Sequence, residues 1–240
     1  MKTLAVIPAR YASTRLPAKP LINIAGVPLV VRVFQNVQKC RTVDRVIVAT
    51  DDERIVEAVR SCGGEAVMTP PELPSGGDRV AYVAERIPSE LVLNVQGDDP
   101  LVGSDMIDPL VEALACDDSV KLAVLAKKIE HEEEVSAKDI VKMVFDRNGR
   151  ALYFSRSPIP YPRNEGGVWY KHIGPYCWRR DFLLEFSKWH QTPLEKTESL
   201  EMLRVLEMGY SIKCVETMRD TIEIDTPEDV ERLEKYLTAK

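Results

Sequence analysis

The first hundred residues contain apolar runs that lack the alternation of a half-exposed strand. LAVIPA (Leu4–Ala9) and RVIVAT (Arg45–Thr50) are apolar on both faces, EAVMT follows Gly63-Gly64, and ELVLNVQGDDPLV spans Glu90–Val102. Such runs predict strands covered on both sides. Between them apolar residues recur at helical spacing, in Val27–Cys40 and in Asp51–Cys62, whose acidic first turn suits the helix dipole. SGGDRVAYVAERI (Ser75–Ile87) reads as a loop running into a helix, and VGSDMIDPLVEAL as a further helix. Strand and helix alternate, so the pattern predicts a mostly parallel, doubly wound α/β sheet.

The middle of the chain changes character. VKLAVLAKKI, VKMVFD, ALYFSRSPIPY and KHIGPYCW read as strands. RRDFLLEFSKWH and TESLEMLRVLEM then predict two helices, the second closed by Gly209, and SIKCVE a late strand. TPEDVERLEKYL predicts a terminal helix with Thr226 as N-cap and Pro227 at its first position. Without repeats or linkers, the expectation is a single domain over residues 1–240 carrying an inserted β-rich lobe at 123–191.

Composition narrows the setting. Hydrophobic residues at 45% and charged residues at 29% describe an ordered globular chain. A net charge of −6 argues against general nucleic-acid binding, so cations gathered on one loop point to a small anionic ligand. The five cysteines show no CxxC pair or regular framework, which suggests reduced thiols and a cytoplasmic protein. No signal-peptide pattern is visible at the N-terminus, and no apolar run approaches the ~18 residues of a membrane span, so membrane insertion is not expected.

Ligands of an open parallel sheet sit beyond the carboxyl ends of its strands. There the first strand leads into Arg10, Ser13, Thr14, Arg15 and Lys19, on a loop stiffened by Pro8, Pro17 and Pro20. The second leads to Asp51 and Asp52, the VLNVQ strand to Gly97, Asp98, Asp99 and Pro100, and the last to Asp225. Cations and carboxylates at one edge suit a nucleoside triphosphate bound with magnesium, for which Asp98 and Asp225 suffice. No P-loop, GxGxxG turn, GxSxG elbow or HExxH zinc motif competes. Taken singly the signals are modest: basic loops are commonly just solvated, DTPED is a well-capped helix start, His172 more often packs or caps than catalyses, and Met202 and Met208 read as core.

AVIPARYASTRLPAKPL, RVIVATDDERI, SGGDR, NVQGDDPL, VKMVFDRNGRALYFSRSPIPY, KHIGPYCWRR, LRVLEMG and IDTPEDVERL together resemble the 3-deoxy-manno-octulosonate (Kdo) cytidylyltransferases, in order and over nearly the whole chain. IPAR…STRLP.KPL alone is similar to other sugar-acid cytidylyltransferases; ALYFSRSPIPY and GDDPL narrow the likeness. The resemblance implies a nucleotidyltransferase fold of the nucleotide-diphospho-sugar transferase type, a homodimer using the lobe, and magnesium-dependent coupling of CTP to a Kdo-type sugar acid with release of pyrophosphate. It also implies that Arg10, Ser13, Arg15 and Lys19 cradle the triphosphate, with Arg10 and Lys19 stabilising charge during transfer. On the same footing Ser75, Asp78, Arg79 and Gln96 surround cytosine and ribose, and Asp98 and Asp225 hold Mg2+. Arg156, His172, Tyr176 and Glu201 face the sugar acid.

Three departures stand out: SGGDR for SGTDR, GDDP for GDEP, and LEMLR for LEQLR, which puts Met202 where an amide is usual. The first two leave the chemistry intact, whereas Met202 together with TIEIDTPED admits 8-amino-8-deoxy-Kdo as the acceptor. An acylneuraminate-type acid, and a nucleotide-binding regulator without catalysis, are the other readings.

Overall fold

The computed structural model describes residues 2–12 and 16–238; Ser13, Thr14 and Arg15 lie outside them. The chain opens with β1 (Thr3–Ala9), a small hairpin of β2 (Asn23–Ile24) and β3 (Val27–Pro28), and α1 (Leu29–Val37). Then come β4 (Arg45–Thr50), α2 (Glu53–Ser61), β5 (Glu65–Met68), α3 (Gly76–Arg86), β6 (Leu91–Asn94) and α4 (Ser104–Ala115). The second half runs through β7 (Leu122–Lys128), α5 (Glu132–Ser136), β8 (Lys142–Phe145), β9 (Ala151–Ser155) and β10 (Tyr170–Arg179). It ends with α6 (Arg180–Phe186), α7 (Pro193–Glu198), α8 (Met202–Glu207), β11 (Ile212–Thr217) and α9 (Pro227–Thr238).

One sheet organises these elements, in the order β11-β7-β10-β6-β1-β4-β5. β6, β1, β4 and β5 are mutually parallel, β11 is parallel to β7, and β10 runs antiparallel between β7 and β6. Both faces are covered, and successive residues of β1 go to opposite sides. Ala5 and Ile7 join Val30, Phe34, Ile55 and Leu110 of α1, α2 and α4. Leu4 and Val6 join Val80, Val83, Phe182 and Leu203 of α3, α6 and α8. Burial on both faces is why these strands read as unbroken apolar runs.

The strand order reverses between β1 and β6, which opens the crevice where such folds take ligands. Because β10 is antiparallel, its beginning lies at the carboxyl ends of β6 and β7: Tyr176 pairs with Asn94 and Tyr170 with Lys128. The loop after β11 emerges at the same edge.

The segment 123–191 contributes β7 and β10 to the middle of this sheet. From it only β8 and β9, paired to each other and to the start of β10, extend beyond the main strand path. The helix expected over TESLEMLRVLEM is two helices, because Ser199 takes a left-handed conformation with φ +55°. Met202 is core as expected, whereas Met208 is half exposed at the end of α8. The apolar run Glu90–Val102 is strand only to Asn94, and the residues beyond form the loop that carries the next carboxylates.

Candidate active site

The loop after β1 returns to the sheet through Lys19, which opens a single 3-10 turn with the buried Pro20 behind it. Its Nζ lies 2.7 Å from Asp98 Oδ2 and 2.9 Å from Asp225 Oδ1. Three loops far apart in sequence thus meet at one ammonium. Burial alone would lower the Lys19 pKa; the Asp98 and Asp225 charges and hydrogen bonds outweigh that and hold it above the ordinary lysine value.

Each carboxylate is set in place by its own backbone. Gly97 brings the Asp98 loop against the end of β1, where a Cβ would come within 2.7 Å of the Pro8 carbonyl oxygen. The Asp98 carbonyl accepts the Ile224 N–H at 2.9 Å, tying this loop to the one that carries Asp225. Asp229, in the first turn of α9, accepts from the N–H groups of Asp225 and Thr226 and from the Thr226 hydroxyl. The carboxyl of Asp99, buried beside Asp98, is pushed up to about 7 by burial.

Arg10 gives its Nη2 to the Leu73 carbonyl, and its Nε is buried without a hydrogen-bond partner among the described residues. Asp51 braces the same loop: it accepts the Tyr11 N–H at 3.1 Å and Arg79 Nη2 at 2.7 Å. Arg79 is wholly buried and gives Nη1 to Thr69 Oγ1, so it reaches a ligand only through what it holds. Ser75 and Asp78 form a reciprocal capping box at the start of α3, with Ser75 Oγ donating to Asp78 Oδ2 at 2.6 Å. Gln96 packs against β10, its Cγ 3.2 Å from where a Cβ on Gly174 would lie.

Beyond Asp225 opens a cavity of about 910 Å3, lined among others by Arg156, His172, Tyr176, Glu201 and Met202. The break at Ser199 serves this cavity. It ends α7 at Glu198, whose carboxylate accepts from Ser155 Oγ and the Arg156 N–H, and lets Glu201 turn toward Gly77. The His172 ring stacks on Tyr176 at 5.2 Å and meets Phe154 edge-on. Burial drives the His172 pKa down to about 4, with only the Leu125 backbone acting against it, so the ring is neutral at pH 7. Burial likewise raises Tyr176, and lifts Glu201 to about 7 despite the nearby Arg204.

Two neighbouring groups of the expected residues share Asp225, while Arg10, Ser75, Asp78 and Arg79 are held in contacts of their own around the loop after β1 and the start of α3. Lys19, Asp98 and Asp225 converge directly, while Arg156, His172, Tyr176 and Glu201 line the cavity. Ser13 and Arg15 lie outside the described residues. The structure adds Asp51, Thr69 and Asp229 as supports, and only the strand-end position of Asp51 marked it beforehand. Among the described residues no three His, Cys, Asp or Glu side chains are grouped to hold a metal. Asp98 and Asp225 nonetheless fit a divalent ion that takes two carboxylates and completes its shell with water and phosphate, since their oxygens already converge on one cation.

Residues 4–219 match the cytidylyltransferase family. The chain is 45% identical to the 3-deoxy-manno-octulosonate cytidylyltransferase of Geobacter metallireducens, over 99% of this chain and 98% of that one. It is 46% identical to the protein of the same description from Fusobacterium nucleatum, over 99% and 97%. Its fold superposes with a TM-score of 0.96, at 38% identity and over 100% and 99% of the two chains, on a CMP:2-keto-3-deoxy-manno-octonic acid synthetase complexed with CTP. The chain belongs to the cytidylyltransferase family and, within it, to the 3-deoxy-manno-octulosonate cytidylyltransferases.

Proposed function

We propose that this enzyme transfers CMP from CTP to the anomeric hydroxyl of Kdo. The observation that carries the reading is the meeting of Lys19 with Asp98 and Asp225 beside a cavity lined by Arg156, His172, Tyr176 and Glu201. The hydroxyl oxygen attacks the α-phosphorus, the bond to the bridging oxygen breaks, pyrophosphate leaves and the hydroxyl proton passes to solvent.

Negative charge grows on the phosphoryl oxygens and the leaving group, so fixed cations stabilise the transition state more than the ground state. Arg10 and Lys19 have that role, with Ser13 and Arg15 completing the triphosphate cradle. Gln96 faces the nucleoside together with the α3 start, where Ser75 and Asp78 fix the backbone and Arg79 stands behind. Asp98 and Asp225 would hold Mg2+, which when bound would supply charge neutralisation at the phosphates and Lewis acidity at the site. Arg156 offers a planar fork to the sugar carboxylate, and Glu201 and the neutral His172 face its hydroxyls.

A second acceptor, 8-amino-8-deoxy-Kdo, is favoured by the charge of the cavity wall, where seven carboxylates face three cations among the described residues. The chain works as a homodimer in the cytoplasm. The exposed Leu152, Tyr161 and Val168, in and beside β9 and β10, support the dimer. The deciding experiment supplies CTP and Mg2+ with a panel of sugar acids and reads pyrophosphate. Release is expected with Kdo; none with any acceptor, despite tight CTP binding, would leave a nucleotide-binding regulator in its place.

A further inference from the structure

A second cation lies beneath Arg156. Lys142, in β8, is completely shielded from solvent. Its Nζ donates to the carbonyls of Ala137 at 2.6 Å, Ile140 at 2.7 Å and Arg156 at 2.5 Å. Three acceptors require three N–H donors, so the group is an ammonium and not a neutral amine. Two of the carbonyls belong to the loop between α5 and β8, and the third to the residue after β9. Lys142 therefore ties together two walls of the cavity, since Asp139, Ile140 and Arg156 all line it.

Neither Lys142 nor Arg156 pairs with a side-chain carboxylate among the described residues. Arg156 gives Nε to the Glu198 carbonyl at 2.9 Å and Nη1 to the Lys138 carbonyl at 3.1 Å. Lys171, in the same cavity, is the contrast: it is held between Glu134 and Asp220. Asp139 and Glu198 act on Lys142 only from beyond ion-pair distance; burying a charge without a direct partner is costly, and neutral donors would tie two loops together at less expense. The wall as a whole is predominantly acidic, and here Arg156, with Lys142 behind it, offers two neighbouring cations to an anion.

We propose that Lys142 is a positioning residue for the acceptor. It holds Arg156 through the Arg156 carbonyl, and its charge, which no carboxylate pairs with directly among the described residues, adds to that of Arg156 in attracting the carboxylate of the sugar acid. The inference rests on the function proposed above and supplies what that reading lacks, a reason for an acid to enter an acidic cavity.

The test compares the unaltered enzyme with Lys142→Gln, which keeps two N–H donors and loses the charge. Steady-state pyrophosphate release gives KM for Kdo and for CTP, and competition against Kdo gives Ki for Kdo carboxamide, whose anionic group is neutral. The expected result is a KM for Kdo raised about tenfold, with KM for CTP and Ki for the carboxamide both within about twofold. An unchanged KM for Kdo overturns the proposal, as does equal weakening of Kdo and carboxamide, which would make Lys142 a tie between loops and no more. Failure of Lys142→Gln to fold overturns it too, since Lys142 would then serve the fold as a whole. No turnover of Kdo by the unaltered enzyme would instead overturn the functional reading, and this inference with it.

Discussion

Arg79 and Asp51 form a closed ion pair beneath the loop after β1: the guanidinium is fully buried and donates Nη2 to Asp51 Oδ2 at 2.7 Å. The other Asp51 oxygen accepts the Tyr11 N–H, so the pair links the start of α3 to the residue after Arg10. Truncating Asp51 to Ala leaves a guanidinium buried without its counter-charge, which costs roughly 3 kcal/mol or more. Asp51→Ala should therefore lower the urea midpoint strongly and raise KM for CTP. A midpoint within error of the unaltered chain would show that the pair carries no such load.

What could be read in advance follows from local chemistry. Doubly buried strands advertise themselves as apolar runs, and Arg45–Thr50 is β4 to the residue. The helix expected over Asp51–Cys62 from its acidic first turn is α2, which Asp52 caps. The meeting of Asp98 with Asp225 was legible because both follow strands of one sheet. The left-handed Ser199 was not, since no Gly or Pro marks it; tertiary bonds from Ser155 and Arg156 to Glu198, and from Arg204 to Glu195, hold that geometry. Arg79 reads as one more charge in a helical first turn, and its burial depends on Asp51 and Thr69, which arrive from other strands. The place of β10 was equally hidden, because one long strand pairs along most of its length with β7 while its other edge takes β8 at the start and β6 at the end.

Asp98→Asn keeps the shape of its side chain and removes the charge facing Lys19. If Asp98 is a metal ligand, turnover should fall at least about 100-fold without recovery at high magnesium, while the fold persists. Pyrophosphate release over a magnesium titration, with circular dichroism as the control, checks this. Near-normal turnover would remove Asp98 from the metal site.

Two glycines near the site should respond in opposite directions. Gly77 lies in the first turn of α3, and an added Cβ would make ordinary contacts, 3.6 Å from Glu201 Oε2 and from Ser75 Oγ. Gly77→Ala should stabilise the chain by about 0.5 kcal/mol by restricting the unfolded state. Gly97→Ala drives a Cβ to 2.7 Å from the Pro8 carbonyl oxygen, so backbone must move and Asp98 with it. It should cost about 2 kcal/mol and most of the activity. Paired urea titrations decide both.

His172 is held neutral by burial, with a pKa near about 4. Its ring resonances should stay unshifted from about pH 8 to about pH 5.5, where an ordinary histidine charges. Because the folded chain resists protonation and the unfolded chain does not, this residue's contribution to stability is full above the unfolded pKa. It is lost as pH falls from the ordinary histidine value toward about 4. Nuclear magnetic resonance of the three histidines reads the first effect directly. A His172 signal titrating near neutrality would contradict it.

Glu201 has the reverse linkage. Burial raises its carboxyl to about 7, so between the ordinary glutamate range and about 7 the folded chain binds the proton that the unfolded chain has released. Stability contributed at this position is therefore greatest at low pH, falls as pH rises through that window, and is level above it. Glu201→Gln removes the dependence without changing the shape. The variant should match the unaltered chain near about pH 5 and exceed it by about 1–2 kcal/mol near about pH 8. Asp99, which burial also raises, is common to both proteins and cancels in the difference. Urea unfolding at the two pH values gives that difference, and a constant gap between the proteins would show that the Glu201 carboxyl is ionised throughout. The activity of the variant is a separate readout, expected to fall because the same carboxyl lines the acceptor cavity.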